Sequence, residues 1–95
     1  MSKDEKILTL HPEGKSGVNI LKRRYDAIRS YILDTLKKEG QITYKELTEW
    51  ANKDLSDSFD GNVNWYIVSV KLDLEARGEI ERIPKTSPHQ IRLKP

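Results

Sequence analysis

Cysteine is absent from the 95 residues, which excludes disulfides and thiolate metal sites. Histidine is nearly absent. His11 and His89 have no partner at metal-ligand spacing, so no metal centre is expected. Long apolar runs are missing too: the charged opening MSKDEK leads into only four mainly apolar residues, 7–10. Neither a signal peptide nor a membrane span can be built from that, and with the missing cysteines a cytoplasmic protein is expected. A strong charge of one sign is also lacking. Seventeen Lys and Arg against 15 Asp and Glu leave a net charge of +2, far from the balance of a dedicated nucleic-acid binder.

Catalytic patterns are equally scarce. The serines fall in expected loops or on a helix flank with no histidine nearby, so no activated nucleophile is visible. Gly14-Lys15-Ser16 matches the end of a phosphate-binding loop, but Thr9 stands where that motif needs its first glycine. A binding module without a cofactor is expected, rather than an enzyme.

What the chain does have is periodicity. A chain of this length buries only about 60–65% of its unfolded surface, enough for one core. Residues 1–18, broken by Pro12, Gly14 and Gly17, read as a largely irregular arm, with residues 7–10 available as a short strand or as a strap across the body. From Asn19, a plausible N-cap, the residues Leu21, Tyr25, Ile28, Ile32 and Leu36 form one helical stripe that Gly40 stops. Gln41 and Ile42 make a short extended link. Thr43 and Glu46 then have capping-box spacing and open a second helix, with Tyr44, Leu47 and either Trp50 or Ala51 facing inward, that fades near Asn52. An acidic loop follows, anchored by Leu55 and Phe59. Asp60 or Asn62 caps a third helix, Gly78 ends it, and two strands, residues 79–83 and 89–93, flank a Pro-bounded turn.

This order, together with the LDLEARGEIERI run at residues 72–83, resembles the winged helix-turn-helix proteins over residues 20 to 94. The whole chain, including HPEGKSGVNI and WYIVSVKLDLEARGEIERI, is similar to a small bacterial winged-helix family without an established activity. The resemblance implies an α+β winged helix over residues 19–95: a three-helix core, a short strand after the first helix and a C-terminal two-stranded β wing. It also implies a DNA-binding module of transcription-regulator type, with the third helix in the major groove and the wing on the backbone.

Candidate DNA contacts are Lys22, Arg23 and Arg24 at the start of the first helix, and Asn62, Asn64, Ser69 and Lys71 on the flanks of the third. Arg82, Lys85, His89 and Arg92 in the wing complete the set. Each has a plainer reading. Charged wing residues prevent edge-to-edge association, and three consecutive bases point in different directions around a helix. Asp54, Asp57 and Asp60 suit the dipole at the start of the third helix but repel phosphates.

Helical phasing of the third helix works against groove insertion. Val63, Ile67, Val70 and Leu74 make its core face, while Trp65, Val68 and Leu72 make a second apolar stripe on the opposite side. Three arrangements satisfy that stripe: the strap of residues 7–10 covers it, a second copy or another protein does, or the phase is shifted. The competing function is therefore a protein-interaction module, a homodimer through Trp65, Val68 and Leu72, that leaves DNA alone. Trp50, Trp65, Tyr44 and Tyr66 at helical spacing read as core aromatics before they read as a platform for stacked bases.

Overall fold

A computed structural model describes residues 5–15 and 17–94. The chain folds as a small α+β domain of three helices and two small antiparallel sheets. The first four residues of the expected arm and Ser16 lie outside the described residues.

The helix α1 spans Lys22–Glu39 and buries Tyr25, Ile28, Ile32 and Leu36, the expected stripe. Its N-cap is Leu21, two residues later than the sequence suggests. Asn19 does not cap it; residues Asn19–Leu21 form strand β2, paired antiparallel with β1, Lys6–Leu8. The arm is thus half of a β-hairpin. Pairing wins here because it buries Ile20 to 4% exposure and because the backbone carbonyl of Glu5 accepts from the Lys22 N–H at 2.8 Å. A side-chain cap would have served the same first-turn donor. At the other end Gly40 adopts φ 83° and its N–H bonds the Leu36 carbonyl at 2.9 Å. That left-handed stop favours glycine.

Strand β3 (Gln41–Thr43) follows at once, and α2 (Tyr44–Leu55) opens with the expected capping box. Thr43 Oγ1 accepts from the Glu46 N–H at 3.0 Å, and Glu46 Oε1 accepts from the Thr43 N–H at 3.2 Å. The helix runs three residues beyond Asn52 to Leu55, with Leu47 and Ala51 fully buried and Trp50 half-buried. The inward position is therefore Ala51. Asn62 rather than Asp60 caps α3 (Val63–Ala76), accepting from the Trp65 N–H at 3.0 Å. Strands β4 (Ile80–Ile83) and β5 (Gln90–Leu93) complete a three-stranded sheet of order β3-β5-β4, registered by Ile42 opposite Ile91 and Arg82 opposite Ile91. Ile28, Ile32, Leu36, Leu47, Ile67, Leu74, Ile80 and Ile91, each at most 1% exposed, form one core.

Candidate functional site

The third helix decides what surface this domain offers. Its core face is Val63, Ile67, Val70 and Leu74, as phasing requires, so a shifted phase is excluded. Tyr66 is also buried. Its ring packs edge-on against Phe59 (5.1 Å between centroids) and Trp65 (4.9 Å), and its hydroxyl accepts from Arg24 Nη1 at 3.0 Å. On the outer face Trp65 is 41% and Val68 37% exposed, whereas Leu72 is half-buried.

The reason for that gradient is the N-terminal hairpin. Its loop turns back on itself, with Thr9 and Val18 exchanging hydrogen bonds: the Thr9 N–H donates to the Val18 carbonyl at 2.9 Å, and Thr9 Oγ1 accepts from the Val18 N–H at 3.0 Å. Leu10 and Val18 then line a shallow cleft with Ser69 and Leu72. The strap covers the Leu72 end of the stripe and leaves Trp65 and Val68 in solvent. Leu10 (43% exposed) and Val18 (37% exposed) extend the apolar surface rather than end it.

The strap is held by a carboxylate that phasing puts on a solvated flank. Asp73 is fully buried. Its Oδ1 accepts from the Leu10 N–H at 2.8 Å, its Oδ2 accepts from the Tyr25 hydroxyl, and Arg77 Nε donates at 2.9 and 3.0 Å. Burial, then the bond to Asp73, pushes the Tyr25 hydroxyl far above the usual phenol range, so it remains a donor. The i,i+4 spacing of Asp73 and Arg77 was the one visible signal of this cluster. It does not distinguish a buried pair from a surface one.

Most of the expected DNA contacts are engaged within the domain. Lys22 pairs with Asp26 at 2.8 Å. Arg23 and Arg24 converge on Asp60, at 2.8 and 3.0 Å. These two guanidiniums, Arg23 foremost, hold the Asp60 carboxyl well below the usual carboxylate range. The acidic loop therefore neutralises the helix-start bases instead of standing apart from them. Asn62 is occupied as the cap, and Asn64 Oδ1 accepts from the Asn52 amide. Ser69 lies half-buried beside the strap. Arg92 pairs with Glu81 across the hairpin at 2.7 Å, from directly opposite positions.

Lys71 is a correction. Phasing puts it on an open flank, but it is 6% exposed. Its Nζ sits 2.9 Å from Glu75 Oε1 and 5.4 Å from the centre of the Tyr44 ring, because Tyr44 of α2 stands over that side of the helix. His89 is held there too, its ring stacked on Tyr44 at 5.5 Å and 14°. Its Nε2 is buried without a hydrogen-bond partner, and burial, then the charges of Lys71 and Arg82, lowers its pKa. Arg82 and Lys85 alone of the eleven candidates are exposed cations with no hydrogen bond or ion pair among the described residues. Lys85 sits at the hairpin turn with φ 62°.

No group of three His, Asp or Glu side chains suited to a metal ion occurs among the described residues, nor does a helix long and apolar enough to cross a membrane. The model of a family of unknown function, DUF6958, matches residues 6–91. The chain belongs to this family. No curated protein and no solved structure matches it. The span matched to DUF6958 opens in β1 and closes at Ile91 in β5, so it takes in the strap, the Asp73 cluster and the whole outer face of α3.

Proposed function

We propose that this DUF6958 protein is a winged-helix module whose third helix serves as a protein-contact surface, and that the partner it fits is a second copy of itself. The winged-helix reading is supported by the order α1-β3-α2-α3-β4-β5 and by the sheet order β3-β5-β4, which lets the last two strands project as a hairpin. One observation carries the contact reading. The outer side of α3 presents Trp65 and Val68 to solvent, as the strap does Leu10 and Val18, and Lys71 in the helix and Arg77 just after it are both ion-paired. Among the described residues of α3, a polyanion finds no unpaired cation.

Self-pairing is favoured by shape and charge. In an antiparallel two-fold crossing the small Ser69 sits near the axis, and Trp65 meets the strap, Leu10 and Val18, of the other copy. A net charge of +2 opposes such a pair little. Burying the remaining exposed part of Leu10, Val18, Trp65 and Val68 contributes about 1 kcal/mol each, or about 8 kcal/mol for two copies. Rigid-body association costs at least about 4 kcal/mol. The balance, at most about 4 kcal/mol, is a weak dimer with Kd in the millimolar range.

Sedimentation velocity over that concentration range tests this. The wild type should move from monomer to dimer, and Val68→Asp should remain monomeric with unchanged circular dichroism. A wild type that stays monomeric throughout, or a Val68→Asp dimer, refutes it. A second reading has Arg82 and Lys85 behind it: weak duplex-DNA binding through the hairpin. Its mark is an affinity that falls with salt at a slope of about −0.9 per phosphate contacted, a slope that Lys85→Ala must reduce.

A further inference from the structure

A second concave region lies on the opposite pairing of helices. The helices α1 and α2 both feed the core, through Ile32, Leu36, Leu47 and Ala51, and together line a groove of about 310 Å³. Half-buried Trp50 and Tyr31 line it, with Lys38 and Glu39 from α1 and Lys53 and Asp54 from α2. That volume is at the lower end of ligand sites.

Charged side chains of both signs line this groove. Elsewhere some charges of different elements pair directly, as Arg23 and Arg24 do with Asp60 and Arg29 with Glu79. In the groove two bases and two acids face one space and form no ion pair with one another. Asp54 takes a single neutral hydrogen bond, from the Tyr31 hydroxyl at 2.7 Å. The indole N–H of Trp50 donates to no acceptor among the described residues. Lysines in last helical turns have a dipole explanation, but that does not account for unpaired carboxylates of the same turns beside them.

We propose that the groove between α1 and α2 binds a small zwitterion with a flat apolar body, the chemistry of a free aromatic amino acid. The ring lies on Trp50, the carboxylate is held by Lys38 and Lys53, and the ammonium is held by Glu39 and the remaining lone pairs of Asp54. Each ligand charge meets a pair of the opposite sign, and the ring covers the aromatic wall. A ligand of one charge alone gains charge-assisted bonds from only one of the two pairs. Nothing in this proposal depends on self-association through α3.

The test uses Trp65→Phe, which leaves Trp50 as the only indole, and follows its fluorescence during titration with L-phenylalanine. The expected result is a saturable change, weakened about tenfold by Lys53→Ala, the loss of one charge-assisted hydrogen bond. N-acetyl-L-phenylalanine, without the ammonium, and phenethylamine, without the carboxylate, should each bind at least about tenfold more weakly. Glycine, without the ring, should leave the emission unchanged. No saturable change up to the solubility of L-phenylalanine overturns the proposal. So does an equal response to phenethylamine or to the acetylated analogue, because recognition would then rest on the ring alone. Lys38 and Lys53 are exposed, so their alanine variants fold, and a Lys53→Ala protein binding as tightly as the parent overturns the assigned carboxylate site.

Discussion

Replacing Asp73 with alanine removes the one side chain to which the strap, α1 and the end of α3 all bond. Three donors then lose their acceptor: the Leu10 N–H, the Tyr25 hydroxyl and the Arg77 guanidinium. Tyr25 is 4% exposed, so its hydroxyl is stranded at a cost of about 1–3 kcal/mol. The Leu10 N–H is only part-buried and Arg77 is 35% exposed, so both regain water and contribute less. The sum is about 3–5 kcal/mol, the range found when one partner of a buried charge pair is removed. A domain of this size has about 5–15 kcal/mol in total. Urea denaturation followed by circular dichroism measures the loss as a lower midpoint at unchanged slope. Tyr25→Phe provides the milder counterpart, losing one donor and stranding no buried hydroxyl, at about 1–2 kcal/mol. If Asp73→Ala costs less than about 1 kcal/mol, or no more than Tyr25→Phe, the carboxylate is not what ties these elements together.

Gly17→Ala should cost at least as much as a strained core substitution, about 1–3 kcal/mol, because the added Cβ would lie 1.6 Å from the Thr9 carbonyl oxygen. Hydrogen exchange of the Leu10 and Thr9 amides reports it directly, and unchanged protection would show that the strap closes without that contact. Thr43→Ala breaks the capping box of α2 and should lower stability by about 0.5–2 kcal/mol in the same urea assay. His89 is lowered from the ordinary value of 6.5, so the unfolded chain takes up its proton first. Its neutral form therefore contributes stability that is complete above pH 6.5 and is lost as pH falls toward the folded value. Thermal melts of wild type and His89→Phe should diverge below pH 6.5, with the phenylalanine variant losing less; parallel curves would place the acid sensitivity elsewhere.

The helices were legible because each carries its own instructions. The stripe of α1, the glycine stop at Gly40, the Thr43–Glu46 box and the core face of α3 are local patterns, and every one of them is where the residues place it. The hairpin β4–β5 was legible for the same reason, through turn residues between two apolar runs. Asn19 misled because a good capping residue competes with strand pairing, and the outcome depends on β1, more than ten residues away. Lys71 and Asp73 misled because helical phase gives a direction but not what stands there. One meets Tyr44 and His89, the other meets Tyr25 and the strap.

The amino-acid order alone therefore determined the three helices and the strands from β3 onward, the core face of each helix, and an apolar rather than cationic back to the third helix, but not the β1–β2 pairing. Only tertiary contact decided that the strap covers half of that back, that Asp60 takes up the bases of α1, and that a carboxylate sits dry at the centre. Periodicity is a property of near neighbours along the chain, while the contacts that engage Asp60 with Arg24 and Asp73 with the strap join residues 36 and 63 positions apart.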